Sequence, residues 1–246
     1  MPRRSAGVVF YQPPLSRAWI VALLVGGSCG AAVGQDLPDP GRPDPGAGQA
    51  VAVGAFNAAP GGACFQCHGQ DGEGDAAAAF PRLSGQSYGY LVKSLKDYAS
   101  GARQNEIMSP IAEALSEQEM RDVSAYYAGL EAEVAPLQPA ADAEALQYGA
   151  ALAAIGSAEL GIQGCLNCHG PDGAGLGHTY PYLAGQHATY TEAQLRAWQE
   201  GTRTGDPLGI MAEIAVRMTE REIAAVAAYY ARLPPYTDGT AEEPGQ

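Results

Sequence analysis

Lysine is almost missing from this chain: Lys93 and Lys96 are the only two in 246 residues. Arginine does little to make up the difference, since 14 basic residues face 27 acidic ones. Phosphate binding needs clustered Lys and Arg, so the composition argues against nucleic acid as a partner. Valine, isoleucine and threonine are too sparse for an extended sheet, while glycine and alanine abound. The expectation is an all-α protein of small helical units joined by glycine and proline loops. Cysteine is scarce as well. Apart from Cys29, every cysteine sits in one of two short motifs, which excludes a disulfide framework spread through the fold.

The N-terminus reads as an export signal. Arg3, Arg4 and Arg17 precede an apolar run beginning AWIVALLV, and small residues follow through Gly34. The run is too short for a good membrane span. Residues 1–34 are therefore expected to be removed, Cys29 with them, and the mature protein to be periplasmic. Cleavage there removes three arginines and no acid, so the excess of acids rises from 13 to 16. Such a surface suits a protein partner with a basic docking face.

The chain repeats itself. CFQCHGQDGEG, Cys64 to Gly74, returns as CLNCHGPDGAG, Cys165 to Gly175, 101 residues later. PRLSGQ returns as PYLAGQ at an offset of 100, and Met108 answers Met211 at an offset of 103. The drift places an insertion in the loop containing Gly205, Pro207 and Gly209. The expected organisation is a flexible leader at 35–49, an N-terminal domain at 50–130, a linker at 131–144, a C-terminal domain at 145–235 and a tail at 236–246. Each unit carries three helix signals. Ser116-x-x-Glu119 and Thr219-x-x-Glu222 are capping boxes that open the last helix. The middle helix is expected at about Ser87–Ser100 and Ala188–Glu200, closed by Gly101 and Gly201. The first is clearer in the second copy, from Asp142 through Leu152.

Cys-x-x-Cys-His is the attachment signature of c-type haem. Two thiols form thioethers with the haem vinyl groups, and the adjacent histidine ligates iron. A thioredoxin-like pair would need a βαβ unit, and none is visible. A zinc site could draw on two such motifs but would leave the histidine after each second cysteine unexplained. Cys64, Cys67, Cys165 and Cys168 are therefore expected to attach two haems, with His68 and His169 on the iron. Met108 and Met211 are the only methionines at matching places in the two copies, and they are candidates for the opposite axial position. Met120 and Met218 have no methionine counterpart and read as core filling. His178 and His187 likewise lack counterparts and read as ordinary surface or loop residues.

With these motifs the chain resembles the cytochrome c4 family, the two-domain, two-haem class I c-type cytochromes. The resemblance rests on Cys-x-x-Cys-His-Gly-x-Asp-Gly, Pro-x-Leu-x-Gly-Gln, the Gly-x-Arg before each methionine and the Tyr-Tyr-Ala near each helix end. It covers roughly residues 50 to 235. It implies two tandem class I cytochrome c domains whose haem edges approach each other. It implies axial pairs His68 with Met108 and His169 with Met211. Pro81 and Pro181 would offer a backbone carbonyl to the histidine N–H. Arg103 and Arg203 would lie near haem propionates. The second copy departs from the family's Arg-x-Asn, with Arg203-Thr204-Gly205 in place of Arg103-Gln104-Asn105.

The resemblance implies an electron carrier, not an enzyme. Its electrons would pass from a quinol-oxidising complex or a dehydrogenase to a terminal oxidase or reductase, with a membrane-bound oxidase or cytochrome bc complex as possible partners. Two alternatives stand beside it. One is a haem subunit of a sulfide or alcohol dehydrogenase complex. The other is a di-haem enzyme such as a peroxidase or a thiosulfate dehydrogenase, which would need an opened sixth site or an unusual ligand, and neither is visible.

Overall fold

The computed structural model describes residues 41–55, 62–132 and 142–235. The export signal, Cys29 and the 236–246 tail lie outside the described residues. Among those described, no segment forms a strand ladder; β-pairing is confined to isolated bridges. No described helix is long and apolar enough to cross a membrane.

Among the described residues each half has five α-helical segments, and the second adds short 3-10 turns at Pro171–Gly173 and Pro207–Gly209. The first half has α1 (Pro45–Ala52), α2 (Phe65–His68), α3 (Tyr88–Ser100), α4 (Met108–Ala114) and α5 (Glu117–Ala128). The second has α6 (Ala143–Ile155), α7 (Leu166–His169), α8 (Ala188–Gln199), α9 (Ile210–Ala215) and α10 (Glu220–Arg232). Both capping boxes form as the sequence predicts, at Ser116/Glu119 and Thr219/Glu222. Gly101 closes α3 in the left-handed conformation, φ 77°.

One boundary differs from expectation. Helix α1 begins inside the stretch read as a flexible leader, because Asp44 caps it and Pro45 fits the first turn, where its missing N–H costs nothing. Helix α6 opens at the Asp142 cap, as the helix signal from Asp142 predicts, and overlaps the last two residues of the expected linker. The short helices α4 and α9, which carry the two methionines, were not expected at all.

First and last helices of each half cross at close range. A Cβ at Gly48 would lie 2.0 Å from the Asp122 carbonyl oxygen of α5, and one at Gly149 would lie 2.1 Å from that of Ala225 in α10. Only glycine allows either crossing. Around each crossing grows a separate hydrophobic core. Val51, Leu91, Leu115, Met120, Val123 and Tyr127 build the first. Ile162, Leu195, Ala215, Met218, Ile223, Val226 and Tyr230 build the second. Met120 and Met218 thus sit in cores, as their lack of counterparts predicted.

The halves meet through contacts that repeat across a pseudo-twofold axis. The Gln104 N–H donates to the Thr202 carbonyl at 2.8 Å, and the Thr204 N–H to the Ala102 carbonyl at 2.7 Å. Arg103 and Arg203 face each other between these bonds as an antiparallel bridge.

Candidate haem site

Each Cys-x-x-Cys-His folds as a single helical turn. Cys64 and Cys165 stand at the cap positions of α2 and α7, and the N–H groups of His68 and His169 reach back to their carbonyls at 2.9 Å. One turn therefore presents two sulfurs and an imidazole together. Cys64, Cys67, Cys165 and Cys168 are half-buried, and no disulfide links them. Burial pushes the Cys64 thiol up to about 11 and raises Cys165 as well.

Both histidines are buried. His68 Nδ1 lies 3.0 Å from the Pro81 carbonyl oxygen and His169 Nδ1 lies 3.0 Å from that of Pro181. A carbonyl can only accept, so Nδ1 carries the proton and Nε2 keeps its lone pair. Burial holds both imidazoles below the usual histidine range, against the opposing pull of the proline carbonyls. The neutral ring is the form that ligates metal.

The glycines after each motif fold the chain back over the histidine. Gly72 and Gly173 adopt φ 70° and 75°. Their carbonyls accept the Leu83 and Leu183 N–H groups at 2.7 and 2.8 Å, which fixes the strip carrying Pro81 and Pro181. A Cβ on Gly72 would fall 2.9 Å from the Tyr127 ring, and one on Gly173 would fall 2.6 Å from the Tyr230 ring.

A cavity of about 460 Å³ runs through both halves. Cys64, Cys67, His68 and Met108 line it in the first half, and Cys165, Cys168, His169 and Met211 in the second. Every residue predicted from sequence to touch haem thus lines one space. Arg103 and Arg203 line it too, where the halves meet.

These arginines are 3% and 7% exposed, so neither is a solvated surface charge. Arg103 stacks over the Tyr98 ring at 4.5 Å and Arg203 over the Trp198 ring at 3.9 Å. Arg103 donates to Tyr190 Oη at 2.6 Å and Arg203 donates to Tyr90 Oη at 2.9 Å, each across the boundary. Gln194 Oε1 accepts from both guanidiniums. Among the described residues, no carboxylate pairs with either arginine. Burial raises the Tyr90 phenol, but Arg203 and then Arg103 outweigh it and hold it below the usual tyrosine range.

Two buried cations without a carboxylate are costly unless an anion joins them. Haem supplies such anions in its propionates. Among the described residues, Trp198 Nε1 and Tyr127 Oη are buried without hydrogen-bond partners and line the same cavity. A group with a broad apolar body, acidic edges and an iron centre therefore fits the residues present.

Sequence reasoning missed several members of this site. Gln86 and Gln186 were read only as part of a repeated block, yet both are buried and cross the boundary between halves. His178 and His187, expected to be ordinary surface or loop residues, do lie in loops and do not line the cavity. His187 Nε2 lies 2.9 Å from the Glu73 carbonyl oxygen of the other half. His178 packs against Gly89 so closely that a Cβ there would meet its own Cβ at 2.4 Å. Asp206, inside the insertion, accepts the Met211 N–H at 2.7 Å. The recurrence of Pro-x-Leu-x-Gly-Gln was the one signal that could have pointed to the glutamines.

Comparison with known proteins agrees with this geometry. The cytochrome c family profile matches residues 48–131 and 153–233. The chain belongs to the cytochrome c family, within its two-domain cytochrome c4 branch. Crystals of reduced recombinant cytochrome c4 from Pseudomonas stutzeri contain a chain 32% identical to this one. It superposes with a TM-score of 0.67 over 78% of this chain and 99% of that one. A protein of Stutzerimonas stutzeri described as a thiosulfate dehydrogenase electron acceptor is 44% identical over 88% of this chain and 93% of its own length. The thiosulfate dehydrogenase TsdBA of Marichromatium purpuratum gives a TM-score of 0.71 at 38% identity. That match covers 77% of this chain but only 40% of the other. The protein is therefore a di-haem electron-transfer protein, an electron carrier with two covalently bound haem c groups.

Proposed function

We propose that this protein takes single electrons from a periplasmic thiosulfate dehydrogenase and passes them to a terminal oxidase or reductase. The observation that carries the reading is its likeness, at 44% identity and nearly full length, to a relative described as an electron acceptor of that enzyme. In this reading Cys64 and Cys67 hold one haem and Cys165 and Cys168 the other. His68 and Met108 would hold one iron and His169 and Met211 the other, and the irons would supply one-electron chemistry. Pro81 and Pro181 hold the histidine N–H. Arg103 and Arg203 neutralise propionates where the halves meet. The acidic surface meets a basic face on the partner.

The test is rapid mixing of the oxidised protein with a purified thiosulfate dehydrogenase and thiosulfate, read by haem absorption. Reduction should quicken with enzyme concentration and slow as salt screens the docking charges. No reduction would overturn this donor.

A second reading has its own support in the likeness to cytochrome c4 over 99% of that chain. There the electrons come from a quinol-oxidising complex of the cytochrome bc type. Reduction by that complex with quinol, and none by the dehydrogenase, would establish it instead.

A further inference from the structure

We propose that Gln86 and Gln186 are positioning residues that act crosswise, each tuning the haem of the opposite half by gripping the peptide that anchors its histidine. The Pro81 carbonyl, which accepts from His68, and the Arg82 N–H belong to one planar amide. That N–H donates to Gln186 Oε1 at 3.0 Å, and Gln186 Nε2 returns a bond to the Arg82 carbonyl at 3.0 Å. The second half mirrors this. The Tyr182 N–H, in the same amide as the Pro181 carbonyl, donates to Gln86 Oε1 at 3.0 Å, and Gln86 Nε2 donates to the Tyr182 carbonyl at 2.9 Å.

Glutamine suits this duty because its neutral amide offers one acceptor and donors side by side, matching a peptide edge. Each Oε1 also accepts its own chain's next N–H, from Ser87 at 2.9 Å or His187 at 3.0 Å, which fixes the side chain. Both glutamines are 7% exposed, so water does not compete for these bonds.

The consequence is electronic. Hydrogen bonds in a chain polarise one another. An amide whose N–H is donated has a more negative carbonyl, which draws harder on the histidine N–H. A histidine held this way is more basic and favours ferric iron. Losing the glutamine weakens that pull and favours ferrous iron, in the other half.

The experiment is a redox titration of holoprotein carrying Gln186→Leu or Gln86→Leu. Each haem is followed through its own methionine methyl resonance, assigned with Met211→Ala. Gln186→Leu should raise the potential of the N-terminal haem and leave the C-terminal one in place. Gln86→Leu should do the reverse. The expected size is an about twofold to tenfold change in the oxidised-to-reduced ratio at fixed potential. A shift in the variant's own half, equal shifts in both, or none overturns the proposal. Should the leucine variants fail to fold, Gln186→Glu keeps the acceptor for Arg82 and makes it stronger. It should lower the N-terminal haem more than the C-terminal one, and equal lowering overturns the idea.

Discussion

In the first half the turn before Met108 is tied by Asn105, whose Oδ1 accepts the Ile107 and Met108 N–H groups at 3.0 and 2.8 Å. In the second half Arg203-Thr204-Gly205 supplies no such side chain, and Asp206 takes over. Its Oδ2 accepts the Met211 and Ala212 N–H groups at 2.7 and 3.3 Å. The inserted residues form a tight turn that turns Leu208 outward, 96% exposed at φ 60°. The histidine sides show no such divergence, with the same 3.0 Å contact to proline in both halves. One copy thus caps its methionine with a neutral amide and the other with a carboxylate. Two sites built from one plan can be set apart by a single capping atom.

The largest break in this comparison comes from removing a ligand. Met211→Ala should open the C-terminal haem to carbon monoxide and erase one of two methionine methyl signals, leaving the N-terminal haem intact. Loss of both signals would mean that the halves do not hold their haems independently.

Next come the helix crossings. Gly149→Ala and Gly48→Ala should each destabilise their own half by about 1–3 kcal/mol, because a methyl group meets backbone that cannot yield. Calorimetry on the two variants compares the halves directly, and a cost confined to one of them would show that the crossings are not equivalent.

The caps follow. Ser116→Ala and Thr219→Ala should each cost about 1 kcal/mol in denaturant unfolding. Acid separates them further. Burial raises the Glu222 carboxyl, but Thr219 and Tyr148 outweigh it and hold it below its usual value. Its stabilisation is present above the unfolded carboxylate range near ~4.3 and fades as pH falls through the lower folded value. Glu222→Gln should flatten that acid limb of the C-terminal half.

The smallest effect sharpens the methionine contrast itself. Asp206→Asn removes a negative charge beside the C-terminal site and should raise that haem's potential, by on the order of 1 kcal/mol or less. An unmoved potential in a redox titration would place the difference between haems elsewhere.

Most of the fold could be read from the chain because the decisive signals are local. Ser116-x-x-Glu119 names a helix start without knowledge of its neighbours, and Cys64-x-x-Cys67-His68 names a cofactor. Helix α4 escaped notice because it is seven residues long and holds Pro110 in its first turn. Helix α1 was hidden because glycine and proline look like a linker until Asp122 of α5 accepts the Asp44 N–H at 2.8 Å. The glutamines, the tyrosines Tyr90 and Tyr190, and Gln194 owe their roles to contacts between residues about a hundred positions apart. No periodicity reports such contacts.

The boundary between the halves has a further meaning. Gln86 grips residue 182 as Gln186 grips residue 82, and Arg103 meets Tyr190 as Arg203 meets Tyr90. A patch that fits its own copy in this way is an isologous one, the kind that builds two-fold dimers. A single-repeat ancestor bearing these residues would already have been equipped to pair with itself. Joining two such copies in one chain kept the pairing and removed the requirement that the partners be identical. Gln194 stands where the first copy has Ser94, and the inserted turn before Met211 has no counterpart. Within one chain the same pairing no longer demands identical partners, so the two electron sites are free to differ.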